Sequence, residues 1–132
     1  MTPIHETQAM IAGMDPVRLS GVVRFCTLTD RQVVAAALPH ARAMVREEEG
    51  ITLILPVDHP AALGSDSPSM IQITLQVQSA LDGVGLTAAV ADALAQVGIP
   101  CNVIAGHHHD HIFVPEDRAD MAVAALRARA AS

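Results

Sequence analysis

The chain has 132 residues, a formal net charge of −6 and 51% hydrophobic residues. That is enough apolar material for one compact unit, or two very small ones sharing a core, and too much for a disordered chain. All eight basic residues are arginines and none forms a run, while Phe25 and Phe113 are the only aromatic residues among Phe, Tyr and Trp, which argues against a cationic nucleic-acid face, base-stacking platforms and aromatic carbohydrate clefts.

Cys26 and Cys101 each sit in an apolar, strand-like run. Two such thiols read as small buried apolar side chains rather than a disulfide framework. Met1 to Met14 carries Glu6 and no basic segment, so a secretory leader is not expected. No apolar run approaches the roughly 20 residues that cross a bilayer. A soluble, cytoplasmic protein without nucleic-acid or membrane partners is expected.

Residues 6–14 predict a short helix, with Met10, Ile11 and Met14 at helical spacing and Asp15-Pro16 ending it. Gly21 to Leu28 reads as a strand, and Asp30 as a helix N-cap. Arg31 to Glu49 has helical composition but contains Pro39. The expectation is a turn, then a helix from Pro39 with Ala41, Met44, Val45 and Glu48 on one face and Gly50 just past its end. The run Glu47 to Glu49 reads as a solvated face. Ile51 to Leu55 is a continuous apolar run, hence a buried strand. Asp58 to Leu63 reads as a helical turn capped by Asp58, and Gly64 to Ser69 is the most loop-like stretch of the chain.

The second half has clearer periodicity. Met70 to Gln78 alternates strictly, with Ile71, Ile73, Leu75 and Val77 on one side and Gln72, Thr74, Gln76 and Gln78 on the other, a half-buried strand. A glycine-containing loop follows, then a helix over 86–97 with Leu86, Val90, Leu94 and Val97 as its apolar stripe. Pro100 to Ala105 reads as a strand, 106–110 as a hairpin and His111 to Val114 as the return strand. A last helix opens at Pro115 or Glu116 and buries Ala119, Ala122, Val123 and Leu126. Because two strands join directly by a hairpin, the pattern predicts an α+β fold with antiparallel sheets, in ferredoxin-like βαββαβ halves. The expected organisation is an N-terminal helical segment over 1–20, a divergent half over 21–65 and a second half over 66–132.

The stretch Asp82 to Ile99 resembles the opening of an ACT domain, with Gly83 and Gly85 in the loop, Leu94 near the helix end, and Gly98-Ile99 before the next strand. The wider chain is similar to small bacterial tandem ACT-like proteins of unknown activity that pair an ACT-like half with a divergent one. That resemblance rests on Arg24–Thr27, Arg46–Pro56, Gly85–Val90, Cys101–Gly106 and His109–Pro115. It implies a tandem ACT-like fold that binds an amino acid or similar small ligand and carries no defined reaction. ACT-like domains commonly associate side by side, which implies a homodimer, here through the Gln72, Gln76 and Gln78 sheet face or its edge. One departure is that no strand follows the last helix, so a strand swap between the halves is expected.

Two groups of residues are candidate sites. The first is Asp82, Gly83, Val84, Gly85 and Leu86 with Asn102. A glycine loop at a helix N-terminus offers free N–H donors and a positive dipole end, which suit a carboxylate. Asp82 suits an α-ammonium, and Asn102 carries both a donor and an acceptor. The competing reading is an ordinary strand-to-helix turn capped by Asp82. The second group is His107 to His111, where alternation places His109 and His111 on one face as ligands for a divalent metal. The competing reading is a polar hairpin in which these rings bond to the backbone or to Asp110. Ser69, Ser79, Cys26 and Cys101 have no recognisable nucleophile context, and no cofactor is expected. The sequence therefore reads as a non-catalytic small-molecule sensor, most naturally for an amino acid. The alternatives are a metal-binding protein acting through the histidine hairpin and a structural interaction module.

Overall fold

The computed structural model describes residues 3–132, so the first two residues of the N-terminal segment lie outside the described residues. Contacts gather the chain into two units. One joins the described residues up to Ser20 with Ile71–Ser132, and the other is Gly21–Met70.

The first unit begins with α1 (Thr7–Ala12), capped by the Glu6 carboxylate, which accepts from the backbone N–H groups of Gln8 at 3.0 Å and Ala9 at 2.6 Å. Strand β1 (Pro16–Arg18) follows. The chain re-enters this unit along β5 (Met70–Leu75), then α3 (Leu86–Gln96), β6 (Asn102–Ala105), β7 (Asp110–Pro115), a 3-10 turn over Glu116–Arg118 and α4 (Ala119–Ala131). The strand order is β1-β5-β7-β6, the order of a ferredoxin-like sheet. Its closing strand does not follow α4 but comes from the N-terminal segment. β1 runs antiparallel to β5, with Pro16 opposite Leu75 and Arg18 opposite Ile73. The missing final strand is thus supplied by a segment whose only predicted element was a helix. Three residues carry little intrinsic strand signal, and pairing with β5 creates the element.

The core of this unit lies between the sheet and its helices. Ile73, Leu75, Ile112, Leu94 and Leu126 are fully buried in it. β5 departs from the expected half-buried strand, because both its faces are covered. Gln72 and Thr74 on the polar side are each only 7% exposed. The β6–β7 hairpin forms as expected, with Ala105 opposite Asp110 and Asn102 opposite Phe113.

The second unit contains β2 (Val23–Leu28), α2 (Arg31–Ala37), a 3-10 turn over Leu38–His40, β3 (Ala43–Glu47), β4 (Gly50–Pro56) and a 3-10 turn over Pro60–Ala62. β4 is flanked by β3 and β2, both antiparallel to it. Cys26, Leu53, Leu55, Ala37 and Ala62 form its core. Asp30 caps α2 as expected, accepting from Gln32 N–H at 2.8 Å and Val33 N–H at 3.2 Å.

Three expectations are corrected here. The helix of this unit precedes Pro39, and Ala43–Glu47 is an edge strand whose Met44 and Val45 are more than 40% exposed. The residues are good helix formers, but the ladder to β4, closing at Glu47 opposite Gly50, overrides that preference. Gly50 therefore opens β4 rather than ending a helix. Its φ is +150°, and a Cβ there would stand 2.9 Å from the Leu28 carbonyl. The turn after β4 is capped by His59, whose Nδ1 accepts from Ala61 N–H at 3.0 Å, and not by Asp58. The Gly64–Ser69 loop is pinned along β2: Ser65 donates to the Phe25 carbonyl at 2.6 Å, and Phe25 N–H donates to Ser67 Oγ at 3.1 Å. This unit's second helix is reduced to the Pro60–Ala62 turn, which is why its half reads as divergent.

Candidate functional site

A pocket of about 330 Å³ opens in the first unit where the loop after β5 meets the start of α3. Its walls come from three places in sequence: the loop from Ser79 to Thr87, the β6–β7 turn at Ala105, Gly106 and Asp110, and Met10 of α1. Of the predicted loop residues, Gly83, Val84, Gly85 and Leu86 all line it.

The loop takes its path because α1 lies against it. Thr7 Oγ1 donates to the Val84 carbonyl at 2.6 Å. Ile4 N–H donates to the Gln78 carbonyl at 2.8 Å, and Ala80 N–H returns a bond to the Ile4 carbonyl at 3.0 Å. The two glycines are explained by this packing. A Cβ on Gly85 would sit 2.6 Å from Thr7 Cγ2, and the residue has φ +107°. A Cβ on Gly83 would sit 2.9 Å from Met10 Sδ. Gly85 is also the N-cap of α3, and no side chain caps that helix. The first-turn N–H groups of α3 and the positive end of its dipole are therefore open to an anionic ligand group.

Among the described residues, Asp110 is the only charged one lining the pocket. Ser79 Oγ lies 3.5 Å from its Oδ2. The cavity thus combines a carboxylate with an uncapped helix start, which suits a ligand carrying both charges. Sequence reasoning placed Asp110 in the histidine hairpin and did not bring it to this pocket. Its position opposite Ala105 at the hairpin mouth is the signal that links the two segments. Met10 and Ser79 were likewise missed, because nothing in their local pattern distinguishes them from core and loop residues.

Two of the predicted ligand contacts stand outside the pocket. Asp82 turns outward, with Oδ1 3.1 Å from His5 Nδ1 and both side chains exposed. Asn102 donates from Nδ2 to the Phe113 carbonyl at 3.4 Å. It begins β6, whereas the pocket is reached by the other end of that strand, at Ala105. Three residues of strand separate them, about 10 Å.

The histidines are engaged in the fold. His109 Nδ1 donates to the Leu75 carbonyl at 3.1 Å. His111 Nδ1 accepts from Gln72 Nε2 at 3.1 Å, which assigns the proton of the neutral ring to Nε2, and Thr74 Oγ1 lies 3.0 Å from the same nitrogen. These bonds explain how the polar side of β5 is buried. Burial pushes His111 below its ordinary value of 6.5, nearby His109 adds to the shift, and Asp110 opposes it. The rings of His107 and His108 stack on each other, 4.7 Å apart. Among the described residues, no group of three or more His, Cys, Asp or Glu side chains is arranged to hold a metal ion.

Comparison with known proteins places this fold. Models described as ACT domain match residues 2–71 and residues 69–128. A Vibrio cholerae protein of unknown function, described as a possible transport protein, is 39% identical, with 90% of this chain and 92% of that one covered at a TM-score of 0.78. An Agrobacterium tumefaciens protein is 17% identical over 87% of each chain, at a TM-score of 0.68. The regulatory subunit of aspartate kinase from Thermus flavus shares the fold at 11% identity and a TM-score of 0.60, with 89% of this chain and 97% of that one covered. No curated protein matches the chain.

Proposed function

This chain belongs to the ACT-domain family, and from that premise we propose that it is a non-catalytic regulatory protein whose Ser79–Thr87 pocket binds a free α-amino acid. The observation that carries this reading is the pairing of an uncapped α3 N-terminus with the Asp110 carboxylate in one cavity. The helix start accepts the ligand's carboxylate, and Asp110 accepts its ammonium. The pocket is at the small end of the size range of small-molecule sites. Binding draws the Ser79–Gly85 loop and α1 together and biases the chain toward one conformational state, which is how such a protein passes its signal to a partner. A homodimer and a cytoplasmic location go with this reading. Among the described residues, no helix is long and apolar enough to cross a membrane.

The test is thermal unfolding of the full chain, followed by circular dichroism, with each of the twenty amino acids. A ligand at 100 times its Kd that binds only the folded state stabilises it by about 2.7 kcal/mol. The expected result is a raised Tm with one chemical group of amino acids and its loss in Asp110→Asn. A response to zinc or nickel alone would transfer the site to His109 and His111, and no response to either would leave an interaction module.

A further inference from the structure

Resting on that reading of the pocket, we infer that residues 4–7 form a strap along the back of the pocket loop, and that closing of this strap and binding of the amino acid reinforce each other, so that occupancy is signalled at the segment preceding α1. Strap and loop advance together in sequence. Ile4 N–H donates to the Gln78 carbonyl at 2.8 Å, and the Ile4 carbonyl accepts from Ala80 N–H at 3.0 Å, which makes one isolated parallel bridge at Ser79. His5 Nδ1 lies 3.1 Å from Asp82 Oδ1. Thr7 Oγ1 donates to the Val84 carbonyl at 2.6 Å. Ser79, Ala80, Gly83, Val84 and Gly85 of the same stretch line the pocket, so one side of the loop meets the ligand and the other meets the strap.

Little else ties the loop down. Among the described residues, the other polar contacts of 78–84 are the Gly83 N–H bond to the Ala80 carbonyl, inside the loop, and the 3.5 Å approach of Ser79 Oγ to Asp110. The body of α1 is fixed by comparison. Met10, Ile11 and Met14 are buried in the core, and Gln76 and Val77 donate their N–H groups to the Met14 carbonyl at 3.0 and 3.4 Å. The movable part is therefore the short stretch that leads into α1. Ile4, His5 and Glu6 are exposed, so opening the strap uncovers little apolar surface, and the backbone groups it frees pair with water. Such an opening belongs to the low-stability end of local unfolding.

A ligand seated against 79–85 holds those residues in one path, and that path is the one the strap bonds require. By linkage, the factor by which occupancy favours the closed strap equals the factor by which the closed strap binds the ligand more tightly than the open one. Thr7 does not line the pocket. It acts on the site through the Val84 carbonyl, as a positioning residue.

The experiment is amide hydrogen exchange, resolved by residue with NMR, on the full chain and on Thr7→Val and Thr7→Ser, without ligand and with each of the twenty amino acids, whose binding is measured in parallel by calorimetry. In the wild type the Ile4 and Ala80 amides should show matched protection, on the order of a hundredfold below that of Ile112 and Phe113 in β7. Thr7→Val removes the hydroxyl and keeps the branched shape; it should lower the protection of Ile4 and Ala80 by about fivefold and leave β7 unchanged. Thr7→Ser keeps the hydroxyl and should restore the protection. An amino acid that binds should raise the protection of both amides by at least about fivefold. Protection of Ile4 and Ala80 equal to that of β7, or unmatched between the two, would overturn the strap. An amino acid that binds and leaves both amides unchanged would overturn the coupling while the amino-acid site stands. If no amino acid binds, the reading of the pocket fails, and the coupling fails with it.

Discussion

Replacing Gly85 with alanine tests the packing of α1 on the pocket loop, and its cost divides into two parts. The first is conformational. At φ +107° an L-residue is held in a sparsely populated region, at about 1–3 kcal/mol. The second is steric. The new Cβ would lie 2.6 Å from Thr7 Cγ2, and overpacking of this kind costs about 1–3 kcal/mol. Gly85→Ala should therefore lose about 2–6 kcal/mol. Thr7→Ser separates the parts, because it removes Cγ2 while keeping the hydroxyl that donates to the Val84 carbonyl. With Cγ2 gone, the nearest Thr7 atom to the added Cβ is Oγ1 at 3.7 Å, an ordinary contact. The double variant should recover the steric part and retain the conformational part, giving a coupling of about 1–3 kcal/mol. Urea unfolding followed by far-ultraviolet circular dichroism measures all four members of the cycle, since the chain has no Trp or Tyr to report by fluorescence. Strict additivity of the two substitutions would refute the contact between α1 and the loop. A Gly85→Ala variant as stable as the parent would refute both parts.

Three further outcomes are expected. Burial lowers the pKa of His111 below 6.5, so the unfolded chain binds that proton more readily than the folded one. The stabilisation is complete above 6.5 and declines as pH falls from 6.5 through the lowered native value; urea titrations should show a shallower decline over that range in His111→Gln, and parallel curves would contradict it. Asp30→Ala removes the acceptor for two backbone N–H groups at the start of α2 and should cost about 0.5–2 kcal/mol, read as a shift in the urea midpoint at unchanged slope. Burial raises the thiol pKa of both Cys26 and Cys101 above 9.0, so a disulfide reagent at neutral pH should label the folded protein slowly, Cys101 before the buried Cys26. Prompt labelling of Cys26 in the native state would count against its place in the second unit's core.

Some of this molecule was determined by local sequence alone. The alternation of 70–75, the stripe Leu86, Val90 and Leu94, the hairpin at 106–110 and the cap at Asp30 each express a periodicity or a hydrogen-bonding preference carried within a few residues. The glycine loop was legible for the same reason, since glycines before a helix mark where backbone approaches something closely, here Thr7 and Met10 of α1. Tertiary structure decided what depends on a distant partner. Pro16–Arg18 is a strand only because β5 lies beside it, and Ala43–Glu47 is a strand against its own helical composition because β4 offers a ladder. The polar side of β5 reads as solvated until His111 arrives from 37 residues away to bond Thr74. The pocket itself joins Met10, the Ser79–Thr87 loop and Asp110. Separations of that size leave no periodic trace in the sequence, because the contacts they form come from chain closure around a shared core and not from neighbouring residues.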